Sequence, residues 1–357
     1  MNTRLSIRFM IPVVIGAATA LLQAQQSAAA PRPPSVRVVE RILAQDPTFD
    51  NLVDPPGLVT APLGRLGAVV RIGHGPRHML LVPGLGFSAD TFREFMHRHE
   101  NEWSMLAVTL PGFGGTPPPP CPPAGTSFAQ QTWTNAAVDA IERMLIQERL
   151  DHLVVVGHWL GGTQVALRLA ARRTEDVSAV VLIAGVAGMA SNDPRRAKAL
   201  ATLESRAAMV DQYLAPKWFR TVTRETWDDN NFLPSDYAVD PVLGLRLWRE
   251  AARPALHVWV RYLCEFNAQD VTLELAAPSV PTLLLQPGLE GRPSDPDNDY
   301  MSLFCHASWQ RWNGTAPRLQ VQTIADARAC LWIDQPARVD AALTGFLRMQ
   351  SQPTKAR

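Results

Sequence analysis

The stretch 154–162 joins an apolar run to closely spaced glycines. Three valines at 154–156 precede Gly157, and three residues then separate Gly157 from Gly161 and Gly162. β-branched residues favour a buried strand, glycines permit a sharp turn, and the apolar positions that follow suit a helix. The pattern therefore predicts a strand, a tight turn and a helix, with Trp159 at the tip of the turn.

Apolar runs of strand length alternate with helical patterns on both sides of this unit. Such alternation predicts parallel strands joined by right-handed crossovers, and continuous apolar strands indicate a sheet covered by helices on both faces. From about residue 192 to 270 no buried-strand run occurs, and aromatic helical segments predict an inserted helical cap. The predicted strands are 66–72, 77–82, 103–110, 153–156, 178–184, 281–286 and 319–324, and the last predicted helix is 336–349.

Composition excludes some classes of partner. The chain has 357 residues and a net charge of +1, which gives no electrostatic reason to expect nucleic-acid binding.

The cysteines have no metal-site spacing, so we expect no metal centre. They are either paired in disulfides or free in the core. The sequence also leaves the oligomeric state of the protein open. These cysteines are Cys121, Cys264, Cys305 and Cys330.

The first 30 residues have the layout of an export signal. Arg4 and Arg8 precede an apolar stretch over 9–22, which is shorter than a membrane span, and small residues follow at 28–30. We expect a signal peptide over 1–30 and a periplasmic or secreted mature chain. The alternative is an uncleaved membrane anchor, and no later segment is apolar enough to span a membrane.

Five short segments carry a shared pattern: 81–86, 111–114, 157–162, 281–285 and 324–336. Together they resemble the α/β-hydrolase superfamily, in particular its capped lipase-like and esterase-like members. The resemblance implies an α/β fold with a mostly parallel sheet of about eight strands flanked by helices. It also implies a discontinuous core over 31–187 and 271–350 and a helical cap over 188–270.

The family's catalytic positions can be carried over residue by residue. The resemblance places the nucleophile at Trp159, the histidine at Ala329, and the acid at Glu290 or alternatively at Asp295. An indole has no usable nucleophilic atom and alanine cannot accept a proton, so the usual Ser–His acyl transfer is not expected at these positions. The oxyanion-binding backbone amides are expected at Leu85, or a neighbour, and at Leu160.

Other residues could carry chemistry and have simpler interpretations. Ser88 is interpreted as a helix N-cap rather than a nucleophile. His158 and His306 are interpreted as structural, and Cys330 as a core residue rather than a reactive thiolate. Activation of water by Glu290 alone stays open. The glycines at 84–89 match a dinucleotide fingerprint, but no carboxylate ends the next strand, so no cofactor is expected.

Two functions follow from these positions. The preferred hypothesis is a non-hydrolytic pseudoenzyme that binds an apolar small molecule or a partner protein. The alternative is a hydrolase of ester or amide bonds in small apolar substrates by a non-standard mechanism. Aromatic cap residues either pack within the protein or line a ligand site. The ligand-lining candidates are Trp159, Trp218, Trp227, Trp248 and Trp259.

Overall fold

Seven strands form one sheet in the computed structural model, which describes residues 57–222, 232–292 and 299–350. The strand order is β1-β3-β2-β4-β5-β6-β7; β1 runs antiparallel to β3 and every other neighbouring pair is parallel. The mostly parallel α/β sheet predicted from the apolar runs is therefore confirmed, with one strand fewer within the described ranges. The strands are β1 (Val70–Ile72), β2 (Arg77–Val82), β3 (Trp103–Ala107), β4 (Leu153–His158), β5 (Val177–Ile183), β6 (Thr282–Pro287) and β7 (Leu319–Ile324).

The central strands are buried along most of their length. Every residue of β4 and of β6 is buried, and so are the last four residues of β2. Helices flank the sheet and supply the other half of the core. The helices are α1 (Arg93–His99), α2 (Thr132–Glu148), α3 (Trp159–Arg172), α4 (Pro194–Ala199), α5 (Leu203–Met209), α6 (Ala215–Thr221), α7 (Pro234–Tyr237), α8 (Pro241–Ala252), α9 (Leu256–Asn267), α10 (Val271–Glu274), α11 (Tyr300–Cys305), α12 (Leu331–Asp334) and α13 (Pro336–Gln350).

Two glycines allow α3 to lie directly against the sheet. A Cβ atom on Gly157 would stand 2.6 Å from the Cβ atom of Ala166. A Cβ atom on Gly162 would stand 2.5 Å from the carbonyl oxygen of Val82 in β2. Neither position has room for a side chain, so the glycine spacing seen in the sequence is a packing requirement of this strand–turn–helix unit.

A helical insertion separates β5 from β6, as the lack of strand patterns predicted. It contains α4 to α9 within the described ranges. Its two ends meet at an isolated antiparallel bridge between Gly188 and Asp270. The Asp270 carboxylate also accepts a hydrogen bond from the Arg206 guanidinium at 2.8 Å. The cap boundaries 188–270 stay a prediction, but both lie where the inserted chain leaves and rejoins the core.

Some predicted features differ in the structure or fall outside it. The predicted strand 66–72 pairs only over Val70–Ile72, because the Gly67 amide donates instead to the Thr109 carbonyl at 2.8 Å. No helix in the described part of the chain is long and apolar enough to cross a membrane. The signal-peptide prediction for 1–30, and Trp227 and Asp295, lie outside the described residues.

All four cysteines lie in described ranges, and no disulfide joins them. Cys264, Cys305 and Cys330 are buried, as the core interpretation of these residues requires. Burial raises the pKa of each of these three thiols well above its ordinary value. They are therefore uncharged and unreactive at neutral pH.

Candidate functional site at the turn after strand β4

The turn between β4 and α3 has the sharp geometry that its glycines predicted. Trp159 at the tip has a φ of 51°, in the left-handed region that a bulky side chain rarely adopts. Such a conformation costs about 1–3 kcal/mol. Leu160 and Gly161 are also non-helical, so the regular part of α3 begins only after them.

The indole of Trp159 is enclosed by aromatic rings. Its exposed fraction is 1%, and it makes edge-to-face contacts with Phe232 at 5.4 Å and Phe304 at 6.1 Å between ring centroids. Phe304 extends the packing to Phe266, and Phe232 extends it to Tyr237. We call these five residues the aromatic cluster. Its burial offsets the strain at the tip, because a buried tryptophan hides roughly 150–250 Å² of surface.

The backbone after the tip is turned away from the helical arrangement. Leu160 has a ψ of 137°, against about −42° in an α-helix. Its carbonyl oxygen accepts a hydrogen bond from the Leu85 amide at 2.8 Å. On the other side of the same peptide, the Gly161 amide donates to the Gln164 side-chain oxygen at 2.6 Å. The amide of Leu85, predicted to bind an oxyanion, is thus already hydrogen-bonded within the protein.

His158 connects three segments around the turn. The Gly84 amide donates to its Nδ1 at 3.2 Å, so the proton lies on Nε2, which donates to the Ala329 carbonyl at 3.2 Å. Complete burial lowers the pKa of His158 to about 3, against an opposing effect of the Ala329 hydrogen bond. The ring is therefore neutral and fully hydrogen-bonded. This geometry is that of a structural residue, as interpreted from the sequence.

The loop after β7 is held by backbone contacts with the insertion. The amides of Ala329 and Cys330 donate to the carbonyls of Asp236 and Tyr237, each at 3.0 Å. Ala329 is buried, so no solvent channel reaches its methyl group within the described structure. The segment of α7 that packs here was not singled out from the sequence, because nothing local marks it as a neighbour of this loop.

Glu290 lies just after β6 with its carboxylate exposed. Its Oε2 accepts a hydrogen bond from the Asp326 amide at 2.8 Å, and this contact lowers the pKa of Glu290. The Arg328 guanidinium donates to the Glu290 carbonyl at 2.8 Å. The carboxylate is ionised at neutral pH and is directed to the backbone of the loop after β7.

A buried ion cluster beside this loop was missed by sequence reasoning. The Arg292 guanidinium contacts the carboxylates of Asp236 at 2.6 Å and Asp299 at 2.7 Å. Asp236 and Arg292 are 56 positions apart, so no spacing rule could have paired them. The cluster fixes α7 against the chain after β6 and leaves no net positive charge there for an anion.

Ser88 lies at the N-cap position expected from the sequence, but its hydroxyl does not serve as the cap. Ser88 has an extended backbone at the start of the short helical turn Ala89–Phe92, but its side chain makes no capping hydrogen bond. Its hydroxyl instead donates to the Glu250 carboxylate of α8 at 2.8 Å. The same oxygen of Glu250 accepts from the Thr91 hydroxyl at 3.1 Å. The Ser88 hydroxyl does not cap the helical turn because it is hydrogen-bonded to the Glu250 carboxylate, 162 positions away in the sequence.

The predicted ligand-lining tryptophans take separate positions. Trp248 donates its indole N–H to the Phe232 carbonyl at 2.8 Å and so supports the aromatic cluster from behind. Trp259 donates to the Ala251 carbonyl and packs on Phe113, and Trp218 is half-buried within the insertion. The ring contacts of Trp159 are made by phenylalanines that the sequence did not single out.

Other candidate sites have structural surroundings. His306 donates from Nε2 to the Pro287 carbonyl at 2.9 Å. In the described residues no group of three or more His, Cys, Asp or Glu side chains could hold a metal ion. Two surface grooves, of ≈ 580 Å³ along β7 and α13 and ≈ 290 Å³ near His99 and Trp103, are not lined by Trp159.

Comparison with known families identifies the class of protein. The family model described as the alpha/beta hydrolase family matches residues 79–342, so the chain belongs to this family. The sheet order, the turn after β4 and the helical insertion are all consistent with it.

Solved structures agree at the level of the fold. A hydrolase from Oleispira antarctica is 15% identical, with 82% of this chain and 99% of that chain covered and a TM-score of 0.57. An esterase from Exiguobacterium antarcticum is 12% identical, with coverages of 80% and 96% and a TM-score of 0.57. A thermophilic esterase from Thermogutta terrifontis is 17% identical, with coverages of 80% and 94% and a TM-score of 0.51. No curated protein sequence matches the chain significantly.

Proposed function

We propose that this chain is a non-hydrolytic member of the alpha/beta hydrolase family that binds an apolar small molecule or a partner protein. The observation that carries the proposal is the state of the turn after β4. Its tip is an indole, and the carbonyl that follows is hydrogen-bonded to the Leu85 amide. The attacking group is therefore missing, and one of the two amides expected to bind a developing oxyanion is already used within the protein.

The surroundings support this proposal. A nucleophile needs a base within hydrogen-bond reach, and His158 uses both ring nitrogens in structural hydrogen bonds. The Cys330 thiol, the nearest sulfur in sequence to Ala329, has a raised pKa and is not a thiolate at neutral pH. What the site offers instead is a buried aromatic surface, which suits recognition of apolar groups.

A second function is favoured by one specific observation. Glu290 is exposed and ionised at neutral pH, because the Asp326 amide lowers its pKa. An exposed, ionised carboxylate can take a proton from water, although its lowered pKa makes Glu290 a weak base, and the solved structures of similar fold include esterases. The second candidate is therefore hydrolysis of ester or amide bonds in small apolar substrates by Glu290 without a histidine.

Turnover of short-chain nitrophenyl esters distinguishes the two functions. The purified protein is compared with Glu290→Ala and with a control, Glu94→Ala, which removes an equally exposed carboxylate from α1. We expect all three proteins to show the same background rate. A rate well above background that falls in Glu290→Ala and persists in Glu94→Ala would establish the hydrolase and overturn the proposal.

A further inference from the structure

The buried tryptophans differ in whether their indole N–H groups have a hydrogen-bond acceptor. Five of them donate to a backbone carbonyl, at distances of 2.8–3.3 Å. Trp159 is equally buried, and within the described ranges its Nε1 has no hydrogen-bond partner. The five donor–acceptor pairs are Trp133–Pro120, Trp248–Phe232, Trp259–Ala251, Trp309–Gly185 and Trp332–Thr91.

The surroundings of Trp159 do not explain why an N–H group is there. A donor buried without an acceptor destabilises the fold, because it loses its hydrogen bond to water. The neighbouring rings of Phe232 and Phe304 offer only π faces, which are weak acceptors. A phenylalanine at this position would place an aromatic ring in the cluster without an unused donor. The N–H group therefore fits a role in which an outside acceptor reaches it.

We propose that the Trp159 indole N–H is the hydrogen-bond donor of a ligand site for a neutral, largely apolar molecule that carries one acceptor oxygen, such as a ketone or an ether. This inference rests on the proposed function, since it requires the turn to bind rather than to cleave. The ligand replaces the Phe232 ring on Trp159, because Phe232 is half-buried while Phe304 is buried on α11.

The charges nearby explain why the ligand is neutral. His158 is uncharged, and Arg292 is already paired with both Asp236 and Asp299. An anion would lose its hydration without gaining a cation. A cation would meet the positive end of the indole N–H, and the nearby Asp236 carboxylate is already paired. A single acceptor oxygen on an apolar body matches one N–H donor among aromatic rings.

A pair of probes with the same shape tests the donor directly. Acetophenone carries a carbonyl oxygen where α-methylstyrene carries a methylene group, so only acetophenone can accept from the indole. Binding is followed by the ¹⁵N–¹H indole resonances of tryptophan-labelled full-length protein, with the Trp159 signal assigned by its loss in Trp159→Phe. The control is Trp103→Phe, which removes an indole at the start of β3, the opposite edge of the sheet.

We expect acetophenone to move the Trp159 Nε1–H resonance downfield and to bind about 2- to 10-fold more tightly than α-methylstyrene, the range of one net hydrogen bond. The preference should vanish in Trp159→Phe and persist in Trp103→Phe. An unmoved Trp159 resonance, an absence of binding, or an unchanged preference in Trp159→Phe would overturn the ligand site. The ester assay stays a separate test, because these results leave the absence of hydrolysis untouched.

Discussion

The turn after β4 and the loop after β7 occupy the same edge of the sheet, yet they are held in different ways. The turn is fixed from within, that is, by contacts of its own backbone with the core: its glycines pack directly on the sheet, and the carbonyl and the amide of the Leu160–Gly161 peptide are both hydrogen-bonded. The loop is fixed from outside, by carbonyls of α7 in the insertion. We therefore expect the turn to keep its geometry when the side chain at its tip is changed, whereas the geometry of the loop should depend on the insertion.

Replacement of Trp159 should change the free energy of unfolding more than any other variant, because it removes the largest buried side chain of the turn. It also tests whether the backbone at the tip is strained. Trp159→Ala creates a cavity, and we expect a loss of about 3–5 kcal/mol in the free energy of unfolding. Trp159→Gly creates a similar cavity but removes the left-handed strain at a φ of 51°. The glycine variant should therefore be about 1–2 kcal/mol more stable than the alanine variant. Urea denaturation measures both.

Ala329 provides the control in the loop. It is not among the residues with positive φ, so Ala329→Gly should destabilise by about 0.5–1 kcal/mol, by increasing the entropy of the unfolded chain. Glycine would then have opposite effects in the two regions. Equal stabilities of Trp159→Ala and Trp159→Gly would mean that the turn is not strained.

His158 joins the two regions, and its titration should give the next largest effect. Its folded pKa of about 3 lies below the ordinary value of 6.5, so the unfolded chain takes up the proton first. The stability is fully present above pH 6.5 and is lost as the pH falls toward 3. Between pH 6.5 and 5 the loss should be about 2 kcal/mol.

The measurement compares urea denaturation at pH 7 and pH 5. His158→Gln has no titrating group here, so its stability should change less over this interval than that of the unmutated protein. His306→Gln is the control, since its side chain is only half-buried and its hydrogen bond is to the Pro287 carbonyl at the end of β6. The same pH dependence in His158→Gln as in the original chain would contradict a neutral His158.

Two tryptophan variants should distinguish an indole N–H group that has a hydrogen-bond acceptor from one that has none. Trp309→Phe leaves the Gly185 carbonyl without its partner, so we expect a loss of about 1–3 kcal/mol. Trp159→Phe loses the same side-chain volume but removes a donor that has no acceptor, so its loss of stability should be about 1–3 kcal/mol smaller than that of Trp309→Phe. Thermal and urea unfolding measure both. A similar loss in the two variants would show that the Trp159 N–H is already bonded.

The sheet could be predicted because its determinants are local. Each buried strand is an apolar run in the sequence, and the turn after β4 is marked by glycines at 157, 161 and 162. The ends of strands were less certain, as in 66–72, where the backbone hydrogen bond of Gly67 to Thr109 ends the pairing early. That bond depends on two segments meeting, which no local pattern records.

The details of the site could not be predicted for the same reason. The conformation of Leu160 depends on the Leu85 amide and on Gln164, and both contacts exist only after the chain has folded. The ring contacts of Trp159 come from Phe232 and Phe304, which lie in segments far away in sequence. Local sequence thus identified Trp159 and its turn but not what surrounds it.

The smallest expected effect is also the sharpest test of the comparison. Trp159→Ser combined with Ala329→His restores the two side chains that the family's chemistry uses, but it leaves the Leu160 carbonyl on the Leu85 amide. The Glu290 carboxylate also stays on the Asp326 amide and position 329 stays buried, so the double variant gains neither a free oxyanion donor nor a base that is oriented by a carboxylate and open to substrate. We therefore expect no turnover of nitrophenyl esters above background. Measurable turnover would show that the Leu160 peptide follows the side chain at the tip, and that the turn is not fixed from within.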